Sequence, residues 1–312
     1  MIFATIVTES HAGYARTLAE SLQQSASEAI VLHCLIVDGK QLDARAGAEN
    51  HLPIRFYHLE DLQNLDDFRP TVEKYEKLSQ DSLRWALKPL FVKYLLQEHG
   101  TGPIAYLDAD QFFVGDPRVL FDLEPTTRMM LSPHWRSIRP EAGQVFHDLF
   151  TDGIFNGGLF IATVDAVPIL SWWAAACLYR CEKSPGAGLW DDQKYLDILP
   201  VYFDGVHWLR YKGVNVAGWN RETLHRACDA EQGVLVEGDP LVCVHFSPST
   251  IRIIDNGEDP CLKPLLAKYR ERLTFHGALP STLEDLPNLS ETSSTGSTPP
   301  WWKRLLPRWV GK

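Results

Sequence analysis

The chain has 312 residues, of which 45% are hydrophobic and 22% are charged, enough apolar material for one large α/β domain or two small ones. Its formal net charge of −10 excludes the overall basic surface that attracts nucleic acid, so we expect no nucleic-acid partner. The first ten residues lack the basic region and cleavage site of a signal peptide, and no apolar run approaches the ~20 residues of a membrane span. These features predict a cytoplasmic protein.

The N-terminal part of the chain alternates between strand and helix patterns. β-Rich runs at 1–8 and 29–38 flank helical spacing at 12–24, and a further strand is predicted at 52–61. The strand–helix–strand order at this length is typical of a parallel sheet.

The longest helical pattern runs from 81 to Gly100, a residue type that commonly ends helices. Pro89 lies within it, so we expect a kink or a break there. Further strands are predicted at 103–108, 127–135, 157–164 and 240–246, and further helices at 167–183 and 189–199. The whole pattern predicts an α/β fold with an open, mostly parallel sheet flanked by helices, which binds ligands beyond the carboxyl ends of its strands.

The cysteines form no C-x-x-C pair and no regular framework. They are Cys34, Cys177, Cys181, Cys228, Cys243 and Cys261. Cys177 and Cys181 are one helical turn apart among aromatic residues, which indicates a buried helix face. We therefore predict structural thiols rather than zinc ligands or disulfides, as suits a reducing cytosol.

The composition changes near residue 276. We assign 1–275 to one catalytic domain and 276–300, which is rich in Ser, Thr and Pro, to a flexible linker. The tail at 301–312 has three tryptophans and four basic residues, which favour an anionic membrane surface. This pattern predicts peripheral attachment to the inner face of the cell membrane. The alternative is a tail helix that packs on its own domain.

Two aspartates, Asp108 and Asp110, follow the apolar strand at 103–108. Side chains on alternate strand residues point the same way, so both carboxylates can reach one point beyond the strand. Hard oxygen ligands suit Mg²⁺ or Mn²⁺, often together with substrate phosphates. The alternative is a pair of solvated loop acids.

Five motifs in order carry a family resemblance: "WALKPLFVKYLL", "YLDADQFFVGDP", "FNGGLFIA", "WDDQKYLD" and "VCVHFSPS". The series resembles GT-A glycosyltransferases, in particular the glycogenin-like family 8 enzymes and related bacterial polysaccharide transferases. The resemblance implies a Rossmann-like GT-A fold and metal-dependent transfer, with retention, from a nucleotide-diphosphate sugar such as a UDP-sugar. A glycan or lipid-linked molecule would be the acceptor, and Mn²⁺ or Mg²⁺ the cofactor.

The resemblance also implies a metal site. Asp108 and Asp110 would bind the metal, and His245 would complete the ligand set. Lys88 and Arg84 are candidates for the basic position that approaches the nucleotide phosphates. Without the resemblance, an isolated histidine such as His245 is more often a core or surface residue, and the alternative for either basic residue is a solvated helix charge.

The donor sugar is expected to lie against two further motifs. Asn156 and Gly157 would line it, although "NGG" between apolar runs also suits a hairpin turn. Asp192 and Gln193 match the family's Asp-Gln pair beside the anomeric carbon, where a carboxylate can act as nucleophile, orient an acceptor hydroxyl or stabilise positive charge. Helix capping by Asp191 or Asp192 is the structural alternative.

The remaining candidates concern the nucleotide and the pocket wall. Thr8 and Tyr14 follow the first strand and could contact base or ribose. Asn215, Trp219 and Asn220 lie in a segment that resembles the pocket wall of bacterial relatives, and a buried core role is the alternative.

The chain departs from the family directly after His245. A Ser-Pro-Ser sequence at 247–249 replaces the family's glycine and phosphate-contacting lysine, so the diphosphate contact there falls to Ser249 or Arg252 or is absent.

Two other functions fit parts of the pattern. A nucleotidyltransferase shares the sheet and the metal carboxylates, but it usually needs a glycine-rich basic loop after the first strand, which this sequence lacks. A non-catalytic glycan- or nucleotide-binding scaffold at the membrane would use the same cleft without turnover.

Overall fold

A computed structural model describes residues 1–38, 51–100, 102–229 and 233–278. The predicted tail at 301–312, and the linker from residue 279 onwards, lie outside the described residues. The strands, in chain order, are β1 (Ile2–Val7), β2 (Val31–Ile36), β3 (Ile54–His58), β4 (Ile104–Leu107), β5 (Gln111–Phe113), β6 (Met129–Pro133), β7 (Phe155–Ala162), β8 (Glu182–Ser184), β9 (Leu189–Asp191), β10 (Val206–Trp208), β11 (Arg226–Asp229), β12 (Gly233–Val236), β13 (Asp239–Pro240) and β14 (Cys243–His245). The α-helices are α1 (Ala12–Ser25), α2 (Phe68–Tyr75), α3 (Gln80–His99), α4 (Gln144–Thr151), α5 (Val167–Tyr179), α6 (Leu199–Tyr202), α7 (Pro248–Asp255) and α8 (Lys263–Phe275).

A seven-stranded sheet in the order β10-β6-β7-β4-β1-β2-β3 forms the centre of the fold. Strand β7 runs antiparallel to both of its neighbours, β4 and β6, and the other neighbouring pairs are parallel. The predicted β1–α1–β2 unit is confirmed, with β1 and β2 parallel. The predicted α/β fold with a mostly parallel sheet is therefore confirmed.

The sheet is buried on both faces, as parallel sheets require. On one face, Tyr106 of β4 packs in a cluster with Phe91 of α3 and Trp173 of α5. On the other, Leu107 packs with Leu18 of α1. Consecutive residues of β4 thus enter opposite cores, which explains the unbroken apolar run before Asp108.

Helix α3 supports the site and runs through Pro89 as one continuous helix, so of the expected kink or break, the break is wrong. Ser79 caps its start by accepting from the Ser82 backbone N–H, and Gly100, with φ 58°, ends it as predicted. Proline removes one helical hydrogen bond, and the burial of its neighbours Leu90 and Phe91 in the core offsets that loss.

A small antiparallel pair, β5 and β14, lies apart from the main sheet and is supported by α8. Phe246, directly after β14, stacks on Tyr269 of α8 with ring centroids 4.6 Å apart. This packing fixes the end of β14 beside β5.

Two of the cysteines contradict the prediction of free thiols, because Cys228 and Cys261 form a disulfide. Their separation of 33 residues matches no known cysteine motif. The two residues meet because β11 packs against the 3-10 helix Pro260–Leu262. The other four cysteines are buried free thiols, as predicted. Among the described residues, no helix is long and apolar enough to cross a membrane.

Candidate active site

Asp108, Asp110 and His245 form a cluster at the carboxyl end of β4. One ligand atom from each residue lies within 4.8 Å of the others. The two aspartates follow β4 directly, whereas His245 arrives through the pairing of β14 with β5, where it lies opposite Gln111. The fold therefore brings His245 next to Asp108 and Asp110, more than a hundred positions earlier in the chain, as the resemblance implied.

Hydrogen bonds to the two ring nitrogens orient His245. Its Nδ1 lies 3.0 Å from Oδ1 of Asn215, and its Nε2 lies 3.0 Å from Oδ1 of Asp110. Burial lowers the pKa of His245, but the Asp110 carboxylate more than offsets this and leaves the pKa raised. The same ion pair outweighs the burial of Asp110 and lowers the pKa of its carboxyl group. A divalent cation could take the place of the proton between Nε2 and Asp110.

The two glycines of the "NGG" motif lie within β7, so they form no hairpin turn. A Cβ atom on Gly158 would lie 2.6 Å from Oδ2 of Asp108 and 2.7 Å from Cε1 of His245. A Cβ on Gly157 would lie 2.9 Å from Oδ2 of Asp192. Glycine is required here because the β7 backbone passes so close to the acidic groups.

Lys88 of α3 connects the cluster to Asp192. Its ammonium group lies 3.3 Å from Oδ1 of Asp108 and 3.5 Å from Oδ1 of Asp192, and it donates to the Gly157 carbonyl oxygen at 3.1 Å. Burial lowers the pKa of Lys88, but the two carboxylates outweigh it and raise the pKa well above its usual value. The lysine is thus a buried cation between two acids, not a solvated helix charge.

Asp192 is 1% exposed, and neither of its carboxylate oxygens has a hydrogen-bond partner among the described residues. Burial raises the pKa of Asp192 well above its usual value, in spite of Lys88. The preceding Asp191 (φ 44°) makes the capping contact instead, because its Oδ1 accepts from the Gln193 backbone N–H at 3.0 Å. The predicted short helix at 189–199 is in fact β9 followed by the 3-10 helix Gln193–Ile198.

A hydrogen-bonded chain of amides runs from Gln193 to His245 of the Asp108–Asp110–His245 cluster. Gln193 Oε1 accepts from the Gly157 N–H at 2.9 Å and from Asn156 Nδ2 at 3.1 Å. Asn156 Oδ1 accepts from the Gly158 N–H and from Asn215 Nδ2, each at 3.1 Å. Because a backbone N–H can only donate, these contacts fix the orientation of every amide in the chain. Asn215 must then present its oxygen to His245.

Two residues at this site were not predicted. The Tyr106 hydroxyl donates to Asp108 Oδ1 at 3.2 Å, and its place two residues before Asp108 on β4 was an available signal. His134 Nε2 lies 3.3 Å from Asn156 Nδ2, and no sequence pattern pointed to it.

The predicted pocket-wall residues divide into two groups. The half-buried Trp219 ring stands edge-on to His245 with centroids 5.0 Å apart, so it lies beside the cluster. Asn220 is fully buried: its Oδ1 accepts from the Ala217 N–H, and its Nδ2 donates to the Asn215 carbonyl oxygen. Its side chain holds the loop that carries Asn215.

The predicted nucleotide contacts lie at the end of β1. Thr8 Oγ1 is 2.6 Å from His11 Nδ1, and the His11 and Tyr14 rings are 5.5 Å apart. Burial and the Arg84 guanidinium lower the pKa of His11. Burial lowers the pKa of Arg84, but the ion pair with Asp81 and the charge of Asp108 outweigh burial and leave this pKa raised. The charge of Arg84 therefore acts on His11 and interacts with Asp108 of the acidic cluster.

The Ser-Pro-Ser sequence after His245 begins a helix. Ser247 caps α7 by accepting from the Thr250 backbone N–H at 3.3 Å, and Pro248 occupies the first turn. A capped helix start therefore replaces the family's glycine and lysine.

Comparisons with known proteins give two relatives and a group of similar structures. No protein-family model matches the chain. The uncharacterised proteins YfnF and YfnD of Bacillus subtilis (strain 168) are 30% identical over 178 residues and 27% identical over 254 residues. The first match covers 55% of this chain and 58% of YfnF, less than two thirds of that protein, and the second covers 80% of this chain and 78% of YfnD.

Two solved structures share the fold at low sequence identity. Mouse xyloside xylosyltransferase 1, in its apo form, has a TM-score of 0.51 and 16% identity over 80% of this chain and 99% of its own. The galactosyltransferase LgtC, in complex with donor and acceptor sugar analogues, has a TM-score of 0.56 and 14% identity over 91% of this chain and 98% of its own. The similarity concerns the fold.

Proposed function

Because the chain has the GT-A glycosyltransferase fold, we propose that it is a metal-dependent glycosyltransferase. It would move a sugar from a nucleotide-diphosphate donor, a UDP-sugar by resemblance, to a glycan or lipid-linked acceptor, with retention at the anomeric carbon. The observation that carries the proposal is the Asp108–Asp110–His245 cluster at the carboxyl end of β4, where ligands of open α/β sheets bind.

The cluster fits Mn²⁺ or Mg²⁺. Two carboxylates and one imidazole nitrogen converge, and Gly158 lacks the Cβ atom that would fill the space against Asp108 and His245. Such a cation, when bound, supplies Lewis-acid stabilisation of the leaving diphosphate. Asp108, Asp110 and His245 would hold it.

Lys88 and Asp192 would act on the sugar side of the centre. Lys88 keeps its positive charge between Asp108 and Asp192, so it can counter negative charge on the donor phosphates. Neither carboxyl oxygen of the buried Asp192 has a hydrogen-bond partner among the described residues, and the Asn156–Gln193 hydrogen bond lies next to it, so Asp192 is the side chain that we place beside the anomeric carbon. Two routes to retention stay open: same-face attack by the acceptor, and a covalent intermediate on Asp192.

The remaining predicted residues would line the donor site. Thr8 and Tyr14 would contact the nucleoside, Arg84 the phosphates, and Gly157 and Trp219 the sugar. Asn220 would contribute indirectly by holding the Asn215 loop.

The decisive experiment is donor turnover. A thermal-shift screen of nucleotide-sugars with Mn²⁺ identifies the donor, since a ligand that binds only the folded state raises the melting temperature. Hydrolysis of that donor by the full chain, with and without Mn²⁺, then measures catalysis. We expect the combined Asp108→Ala, Asp110→Ala variant to lose turnover; unchanged turnover would contradict the proposal. Donor binding without turnover would favour the scaffold alternative.

The tail at 301–312 would keep the enzyme at the inner face of the membrane, near lipid-linked acceptors. Liposome flotation of the full chain and of a chain truncated after residue 297 tests this. We expect only the full chain to float with anionic vesicles, and equal flotation would remove the tail from the proposal.

A further inference from the structure

A cavity of about 400 Å³ opens near the proposed transfer centre. This volume lies within the range of small-molecule binding sites, roughly 300–1,000 Å³. The wall is mainly apolar and aromatic. Its principal residues are Trp135, Ile138, Leu149, Ile154, Phe155 and Trp208.

The ends of β6 and β7 separate the cavity from the centre by a single layer. Phe155 lines the cavity, whereas the next residue, Asn156, is hydrogen-bonded to Gln193. Pro133 likewise lines the cavity, whereas the next residue, His134, contacts Asn156. A molecule in the cavity would therefore lie next to the residues proposed to surround the sugar.

The segments that line the cavity also expose large apolar residues. Ile138 and Ile154, both in the wall, are 80% and 51% exposed. Helix α4, which carries Leu149, buries none of its residues. Val201 and Tyr202 of α6 are 77% and 76% exposed. An apolar cavity with an apolar rim indicates a ligand or surface that is itself apolar.

Two cations outside the cavity lining contact aromatic rings of the wall. Lys212 Nζ is 2.8 Å from the ring centroid of Trp135, and Arg210 Cζ is 4.7 Å from that of Trp208. Trp135 has a left-handed backbone with φ 52°, a strained state that is concentrated at functional sites. Positive charge beside an apolar wall suits a ligand with an anionic end and an apolar chain.

The two charged residues that line the cavity are each paired with an opposite charge. Asp197 pairs with Lys194 at 2.8 Å, and Arg136 pairs with Asp152 at 2.8 Å.

We infer that this cavity binds the hydrocarbon chain of an anionic, lipid-linked acceptor. The inference rests on the proposed function and narrows its acceptor class. The apolar chain would occupy the cavity, and the anionic link between chain and glycan would lie near Lys212 and Arg210. The reacting hydroxyl could then approach Asn156 and Gln193 from the other side of the strand ends.

The test is binding of farnesyl phosphate, below its micelle concentration, to the full chain by isothermal titration calorimetry. Farnesol and inorganic phosphate probe the two ends of the ligand separately. Leu149→Gln places an amide in the cavity wall, and Phe150→Gln is a matched control on the same helix outside the wall. Both positions lie on a surface helix, so both variants should fold.

We expect farnesyl phosphate to bind, farnesol to bind more weakly and inorganic phosphate not to bind. Leu149→Gln should weaken farnesyl phosphate binding about tenfold, because the bound hydrocarbon chain would cover the amide without offering it a hydrogen-bond partner, and Phe150→Gln should leave binding unchanged. The inference fails if wild type does not bind farnesyl phosphate, or if inorganic phosphate binds as tightly as farnesyl phosphate. It also fails if both variants bind farnesyl phosphate as tightly as wild type does. Flotation of both variants with anionic vesicles provides a further check. If wild type does not bind monomeric farnesyl phosphate and both variants float less than wild type to the same extent, the apolar face contacts a membrane and the inference fails.

Donor hydrolysis, which needs no acceptor, separates this inference from the proposed function. Hydrolysis by wild type without farnesyl phosphate binding overturns the inference alone. Farnesyl phosphate binding by a protein that turns over no nucleotide-sugar overturns the proposed function.

Discussion

Asn215 presents its side-chain oxygen to Nδ1 of His245 at 3.0 Å, which leaves Nε2 of the same ring directed at Asp110. The orientation is not a free choice, because the Gly158 N–H makes Asn156 Oδ1 an acceptor and so turns Asn215 Nδ2 towards it. Asn215 also has φ 56°, a left-handed backbone that asparagine tolerates better than most residues. Asn215 therefore orients the His245 ring and is a positioning residue for the proposed metal site.

The first prediction concerns this contact. Asn215→Gly removes the carboxamide without straining the backbone, and it should weaken Mn²⁺ binding roughly 10–100-fold, as loss of an outer-sphere partner does elsewhere. Asn215→Asp keeps an acceptor for Nδ1 and should retain most of the affinity. Calorimetric titration with Mn²⁺ measures both. Equal affinities for Asn215→Gly and wild type would show that the hydrogen bond does not orient the ligand.

The second prediction concerns the close passage of β7. Gly158→Ala should weaken Mn²⁺ binding and reduce the rise in melting temperature that Mn²⁺ causes in wild type, because the new methyl group would meet Asp108 and His245 at 2.6 and 2.7 Å. Gly186→Ala is the matched control, since nothing lies within 4 Å of the added atom. Neither glycine needs a left-handed backbone. A normal Mn²⁺ response in Gly158→Ala would place the metal elsewhere.

The third prediction concerns Lys88. Lys88→Met leaves Asp108 and Asp192 without their shared cation and should lower the free energy of unfolding by roughly 3–5 kcal/mol, the usual cost of breaking a buried pair. Adding Asp192→Asn should restore part of it, because the buried negative charge is then gone. Urea unfolding measures the coupling free energy between Lys88 and Asp192 from wild type, the two single variants and the double variant. Simple additivity would mean that the two charges do not interact.

The fourth prediction concerns pH and His33, which is 2% exposed and whose Nδ1 lies 2.8 Å from the Tyr57 hydroxyl. Burial, with nearby His99 and Arg55, lowers the pKa of His33 from 6.5 to about 4. In the unfolded chain His33 therefore takes up a proton below pH 6.5, whereas in the folded chain it stays neutral down to about pH 4. The free energy of unfolding falls as the pH drops through this window, because protonation favours the unfolded state.

The check is urea unfolding of wild type and His33→Gln at neutral and mildly acidic pH. Glutamine can still form a hydrogen bond with Tyr57 but does not titrate. From pH 7 to pH 5, wild type should lose up to about 2 kcal/mol more stability than the variant. Parallel losses would assign the acid sensitivity to other groups.

Much of the fold could be read from local patterns. The β1–α1–β2 unit, the end of α3 at Gly100 and the exit of Asp108 from a buried strand all depend on side-chain periodicity and turn chemistry within a few residues. Pro89 shows the limit of such rules. A local preference for breaking the helix is overcome by burial of the residues around it, and that burial comes from the rest of the chain.

The candidate site divides along the same line. The residue types of the site can be recognised in the sequence alone: paired carboxylates after a strand, two adjacent glycines and an Asp-Gln pair. The position of Lys88 between Asp108 and Asp192, the contact of Asn220 with the Asn215 loop and the Cys228–Cys261 disulfide depend on the folded chain. The difference comes from the distance along the chain over which each kind of interaction acts. Periodicity and capping act over one or two turns, whereas a buried charge or a cross-strand contact depends on which distant segment packs against it.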